Sequence, residues 1–329
     1  MKKRSRIMGE TIVFLVSVLL SGIPAMAAAD SYPTKPINIL VGFAPGGTMD
    51  VSTRVLASKA EKALGQPFLI TNNGGGGGSV ALGIVAKERP DGYFLAGCTS
   101  TGLVRIPQFR TVPYKLEDFV PVMHFGAPQT GIVVRTDSPF KTFRDLVEFA
   151  KKNPGKVTYS STGVGSPMHL AMEYVAKQEG IEWTHVPYPG SMPALTALLG
   201  GHVTAQSGST EWIAQIKAGT VRLLATHGER RMRSFPDIPT FRELGYDFIN
   251  ETVFMIAAPK GTSFSVVKKL DEAFRKAMDD PEFIRTMNDL EIEITYRSSE
   301  ETRRYLEEAY ARIGKMILEL KIPKETEKK

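Results

Sequence analysis

Cysteine is nearly absent from this chain. Cys98 is the single thiol among 329 residues, so no internal disulfide can form, and a lone cysteine reads as a small buried side chain rather than a nucleophile. The short motifs of hydrolytic and nucleotide chemistry are missing as well. There is no Gly-x-Ser-x-Gly elbow, no Gly-x-x-x-x-Gly-Lys-Ser/Thr, no His-Glu-x-x-His, and no Gly-x-Gly-x-x-Gly opening the first helical segment. His185, His202 and His227 stand at no spacing from Cys, Asp or Glu that suggests a metal site. Lys and Arg outnumber Asp and Glu by 41 to 35, but nowhere do they cluster with aromatics along one face, which argues against nucleic acid as a partner.

The basic excess belongs partly to the N-terminus. Lys2, Lys3, Arg4 and Arg6 precede an apolar stretch centred on Ile12 to Leu20, and small residues Ala25 to Ala29 follow. This pattern predicts a secretory signal peptide over residues 1–29, cleaved after Ala27 or Ala29. The apolar stretch is shorter than the roughly 20 residues needed to span a bilayer. Losing residues 1–29 lowers the formal charge from +6 to +3. The remaining chain of about 300 residues can bury more than one core, so two domains and a soluble, exported protein are expected.

Beyond the leader, short apolar runs alternate with helical spacing, the mark of α/β architecture with largely parallel sheets. Strands are expected at Ile37 to Gly42, Phe68 to Thr71 and Tyr93 to Cys98, with helices between them at Val51 to Leu64 and Val80 to Lys87. A second set starts after Gly126-Ala127-Pro128: strands at Lys156 to Ser161, Trp183 to Tyr188, Val203 to Ser207 and Val221 to Thr226. Helices fall at Phe143 to Lys152, Pro167 to Gly180, Met192 to Leu199 and Thr210 to Ala218. Another extended segment, Thr252 to Ala258, leads back to helices at Ser263 to Met278 and Glu300 to Leu320, the latter opened by the capping box Ser298/Glu301. Two crossings make a hinge. The predicted lobes are 30–127 with 255–329, and 128–254.

Two loops carry the functional reading. Phe43-Ala44-Pro45-Gly46-Gly47-Thr48-Met49-Asp50 joins the first strand to the first helix. Its glycines let the main chain approach a ligand closely, and the helix start offers unpaired N–H groups and the positive dipole end. Ser160-Ser161-Thr162-Gly163-Val164-Gly165-Ser166 repeats this logic in the second lobe, with Ser166 as N-cap. Facing each other across a hinge, the pair would clamp an anion with little fixed charge. Singly, either is also explained as a polar turn before a capped helix. Asp50 has two readings, a first-turn residue favoured by the dipole or a cleft acceptor for an ammonium or hydroxyl. His169 reads as a supporting donor or packing residue. The glycine run Gly74 to Gly78 reads as a mobile loop at the cleft rim.

The same residues resemble a known family. Pro45-Gly46-Gly47 with Asp50 and Arg54, Arg89-Pro90-Asp91-Gly92-Tyr93, Gly163-Val164-Gly165-Ser166 with His169-Leu170-Ala171, Val186-Pro187-Tyr188 with Gly190, and Phe235-Pro236-Asp237-Ile238-Pro239-Thr240 look like the substrate-binding proteins of tripartite tricarboxylate transporters, the Bug family. The likeness runs in order over the whole mature chain. It implies a type II periplasmic binding protein-like fold, two α/β lobes joined by a two-crossing hinge, which captures a small organic carboxylate (a di- or tricarboxylate, an amino acid or an aromatic acid).

By that resemblance the ligand is held by the two loops, with the turns Thr99 to Thr101, Tyr188 to Ser191 and Ser207 to Ser209 (Thr99, Ser100, Tyr188, Gly190 and Ser207 foremost) shaping the other end, and is delivered to transmembrane subunits of a tripartite transporter. A periplasmic, monomeric, non-enzymatic protein without cofactor or metal is expected. An exported enzyme or a solute-sensing receptor using the same cleft are the alternatives. One departure stands out: the family's glycine loop usually has arginine and proline after the asparagine, where this chain has Asn73 and Gly74, and Gly76 replaces alanine. That change implies a more flexible, less cationic loop.

Overall fold

The computed structural model describes residues 32–228, 230–248 and 252–320. The expected leader and the lysine-rich tail from Lys321 lie outside these residues. Eleven strands among them form two sheets. In the first, β1 (Ile37–Val41) lies between β2 (Phe68–Asn72) and β3 (Phe94–Thr99), all parallel. β1 is apolar except for the half-buried Asn38, because helices cover the sheet and alternation would expose nothing useful. The crossover between β1 and β2 is α1 (Thr48–Leu64), whose Met49, Leu56, Ala57, Ala60 and Leu64 recur at helical spacing on the buried side. Gly65 ends it in the left-handed conformation, φ +70°. The short α2 (Ser79–Val85) follows β2, and a π-turn, Thr101–Arg105, runs from the end of β3 into α3 (Ile106–Phe109).

The segment expected as the first crossing is more regular than its sequence suggests. It is two strands, β4 (Phe119–Pro128) and β5 (Gly131–Arg135), and they belong to different sheets. In the second sheet β5 pairs antiparallel with β8 (Ala205–Gly208) and β9 (Val221–Thr226). On the far side of β8, β6 (Thr158–Ser161) and β7 (Thr184–Pro187) run parallel. The return is β10 (Phe254–Pro259), antiparallel to both β3 and β4, and the two-residue β11 (Ile292–Glu293) closes the edge beside β4. Both sheets are therefore mixed. The reason is topological: a strand that leaves a lobe and one that re-enters it must run in opposite directions.

Helices α4 (Phe143–Lys152), α5 (Pro167–Glu179), α6 (Ser191–Leu199) and α7 (Ile213–Lys217) accompany the second sheet. A 3-10 turn, Thr210–Trp212, precedes α7 where one continuous helix was expected. Helices α8 (Phe264–Ala277), α9 (Pro281–Asp289) and α10 (Ser299–Leu320) complete the chain. Ser298 and Glu301 exchange the hydrogen bonds of the expected capping box.

Each sheet has its own core, with Leu56, Phe274 and Phe283 under the first and Leu198, Trp212 and Leu223 under the second. Fully burying each such side chain contributes about 2 kcal/mol. A third apolar cluster crosses between the sheets. It joins Leu103, Phe109 and the α10 residues Leu306, Ile313 and Ile317 to Tyr159, Leu170 and Val175 of the second. Phe109 packs so closely on Gly165 that a Cβ there would stand 2.4 Å from its ring. Cys98 is buried, as a small core residue should be.

Candidate functional site

Between the sheets lies a cleft of about 670 Å³ of space free of atoms, part of it open to solvent, lined from both sides. Three helices begin on it. Gly47, Thr48 and Met49 belong to the start of α1, Pro167 and Met168 to that of α5, and Gly190, Ser191 and Met192 to that of α6. The N-caps Gly47 and Gly190 have no side chain to satisfy the first-turn N–H groups, so these donors are left for whatever enters. Hydroxyls of Thr48, Thr99, Thr101, Thr162, Ser191, Ser209 and Thr252 add further polar contacts, and among the described residues no lining side chain carries a charge. Thr99, one of the lining residues, has its Oγ1 buried without a hydrogen-bond partner among the described residues.

Of the residues singled out in the sequence, Phe43, Ala44, Gly47, Thr48, Thr99, Thr162 and Gly190 line this cleft. The others sit one layer behind or outside it. Pro45 and Gly46 are the exposed tip of the first loop. Asp50 faces inward to the protein, not to the cleft. Its carboxylate accepts from the Gly46 N–H (2.9 Å), Arg54 Nε (2.9 Å) and Asn72 Nδ2 (2.8 Å), and Asn72 also donates to the Phe43 carbonyl (3.0 Å). Burial alone would push its pKa up, but these donors outweigh it and hold the group below the usual carboxylate range. Asp50 is thus the clasp of the first loop, tying both its ends to α1 and β2.

The second loop is clasped without charge. Ser161 Oγ accepts from the Gly163 N–H (3.2 Å) and lies 2.7 Å from His185 Nε2, and Ser166 Oγ accepts from the His169 N–H (3.2 Å). The Gly165 N–H donates to His169 Nδ1 (3.2 Å), which requires that nitrogen to be unprotonated. His169 stacks on His185 at 4.2 Å and His185 on Tyr159 at 4.9 Å. Burial pushes the two imidazoles down to about 4 and about 3, His185 further lowered by its neighbour, so both stay neutral.

The remaining predicted hydroxyls brace the framework. Ser160 Oγ donates to the Ala194 carbonyl of α6 (3.0 Å), Ser207 Oγ to the Met168 carbonyl of α5 (2.9 Å), and Ser100 Oγ accepts from the Val253 N–H (3.2 Å). The Tyr188 N–H donates to the Ser161 carbonyl (3.0 Å).

Sequence reading overlooked Met168 and Met192 at helix starts, and Pro128, Thr252 and Phe254 at the crossings, whereas Met49 and Ser209 fall within segments it assigned to the site. The first-turn position of Met168 and Met192 was the available signal. The glycine run contains a short turn of regular structure. Gly75 to Gly78 all have positive φ, Gly76–Gly78 forms a 3-10 turn, and Gly77 lines the cleft. A Cβ on Gly76 would stand 2.4 Å from Arg110 Nη2, so the missing alanine makes room for a guanidinium that reaches this loop from α3's end.

Comparison with known proteins decides the family. The model of the tripartite tricarboxylate transporter family receptor matches residues 52–322. The chain belongs to that family. A Cupriavidus necator UPF0065 protein, in the gbd 5' region, is 36% identical over 306 residues, covering 93% of each chain, and BugT of Bordetella pertussis is 35% identical over 268 residues, 80% of this chain and 82% of BugT. Among solved structures, the periplasmic binding protein BugD superposes with a TM-score of 0.81 at 28% identity, and R. palustris Rpa4515 with adipate with 0.83 at 28%. Each comparison covers 89% of this chain and 99% of the other. The two-lobe fold of type II periplasmic binding proteins is therefore the fold of this receptor, and solute binding its general role.

Proposed function

We propose that the mature receptor captures a small organic carboxylate in the cleft and delivers it, in the periplasm, to the membrane subunits of a tripartite transporter. The observation that carries this reading is the convergence of three helix N-termini, two without a side-chain cap, on a space lined from both lobes and, among the described residues, free of charged side chains. Such a space favours an anion through fixed dipoles and N–H groups. The adipate held by the related Rpa4515 supports a carboxylate for this receptor. Because the cleft has both lobes for walls, a ligand that touches both shifts the molecule toward the closed arrangement.

Thermal-shift screening of the purified mature protein against mono-, di- and tricarboxylates, amines and neutral sugars is the test. A ligand at a hundred times its Kd adds about 2.7 kcal/mol to stability, a rise of several degrees in Tm. An acid should raise the Tm saturably and be recovered unchanged. A rise only with amines or sugars, or conversion of the acid to product, overturns the proposal.

A further inference from the structure

One acid lies directly behind the cleft wall. Glu211, in the 3-10 turn before α7, is reached by Gln206 Nε2, which donates to Glu211 Oε1 at 2.7 Å and to the Ser191 carbonyl at 3.3 Å. The packing is close: a Cβ on Gly208 would stand 2.5 Å from Glu211 Oε1. Glu211 Oε2 is buried and accepts no well-formed hydrogen bond. The residues screening it from the cleft, Ser191 and Ser209, are themselves cleft-lining, and Ser191 is the first residue of α6. The groups facing the carboxyl are Gln206 of β8, Ser191 of α6, the backbone of Ser209 and its own backbone N–H. None of these titrates, and none is a cation.

The uncapped N–H groups at the α6 start attract an anion, but the Glu211 carboxyl lies behind Ser191 and Ser209, linked to Ser191 through Gln206, so a second negative charge brought there meets a like charge. We propose that Glu211 is a specificity residue which reserves the α6 end of the cleft for an uncharged part of the ligand. The preferred ligand is then a monocarboxylate, and a dicarboxylate enters with its second charge at Ser191 and Ser209 only together with a proton from solvent. This rests on the carboxylate reading of the cleft and adds the charge state of the ligand's far end. Burial pushes Glu211 up to about 7 against the pull of its own N–H, Gln206, Ser209 and Ser191, so the carboxyl can take up that proton near neutral pH.

The test uses matched pairs of acids that differ only in the second carboxylate: butanoate and succinate, hexanoate and adipate, benzoate and terephthalate. Titration calorimetry of the wild type and of Glu211→Gln at pH 6 and 8.5 reads their Kd values. At pH 8.5 the variant should bind the diacid at least about tenfold more tightly than the wild type does, with the monoacid changed less than twofold. At pH 6 the two proteins should agree. In the wild type, diacid binding at pH 8.5 should consume about one proton, seen as an enthalpy that follows the ionisation heat of the buffer; this arm needs no variant. A diacid-to-monoacid ratio unmoved by the substitution, with no proton uptake, overturns the proposal while leaving the carboxylate reading intact. Failure of every acid alongside binding of an amine or sugar removes that reading itself, and this one with it.

Discussion

The two cradles reach the same end by opposite electrostatics. The first is clasped by a charged group, Asp50, held by Arg54, Asn72 and the Gly46 N–H. The second is clasped by hydroxyls and two stacked imidazoles that burial keeps neutral. The first leaves its helix start uncapped, whereas Ser166 caps the second. A binding surface made of backbone needs such support from behind, because peptide groups carry no specificity unless their positions are fixed.

The sharpest way to break the symmetry is to remove the charged clasp. Asp50→Ala should lower stability by about 3 kcal/mol, since three hydrogen bonds to an ion are lost at once. It should also weaken the affinity for any acid found by screening at least tenfold, measured by chemical denaturation and calorimetry. A variant that binds normally would mean the first cradle holds its shape without Asp50.

Acid separates the two cradles next. The imidazoles of His169 and His185 bind protons near 6.5 when unfolded but only at about 4 and about 3 when folded. The unfolded chain therefore holds more protons between those values, and stability falls as pH drops below 6.5, by up to about 2 kcal/mol per imidazole at pH 5. Asp50, lowered from 3.8, keeps its contribution until the pH falls below that value. His124 and His227, each pushed down to about 3 chiefly by burial, add to the same slope. His185→Phe keeps a ring in the stack and should remove about one proton's share of the slope of stability against pH between 6.5 and 4. An unchanged slope would show that His185 is charged in the folded protein.

The smallest effect belongs to the N-cap. Ser166→Ala removes the acceptor for the His169 N–H and should cost about 1 kcal/mol, with no change in pH slope. If it costs as much as Asp50→Ala, the neutral clasp is the stronger of the two.

How much of this was legible in the chain follows from how local each cause is. The strands β1, β2 and β3, the cap at Ser166 and the box at Ser298 rest on residues a few positions apart, and the sequence shows them plainly. The two-lobe fold followed from alternating elements and two extended crossings. That β4, β5 and β10 would join their sheets antiparallel was not legible, because their partners lie far along the chain, 155 residues away in the pairing of Phe254 with Thr99. Site loops were found, but not the direction in which their side chains turn. Asp50 faces Asn72, and Ser161 meets His185, only after the sheets have formed. Glu211 gave no signal at all: its setting is made by Gln206, Ser191 and Ser209, which surround it only in the folded chain.

The apolar seam from Phe109 through α10 to α5 has one more effect. Had each lobe been self-contained, warming could melt them one after the other, and calorimetry would record two peaks. A shared hydrophobic spine couples their melting, so the receptor should denature in a single cooperative step, and the C-terminal helix acts as the beam on which both halves rest.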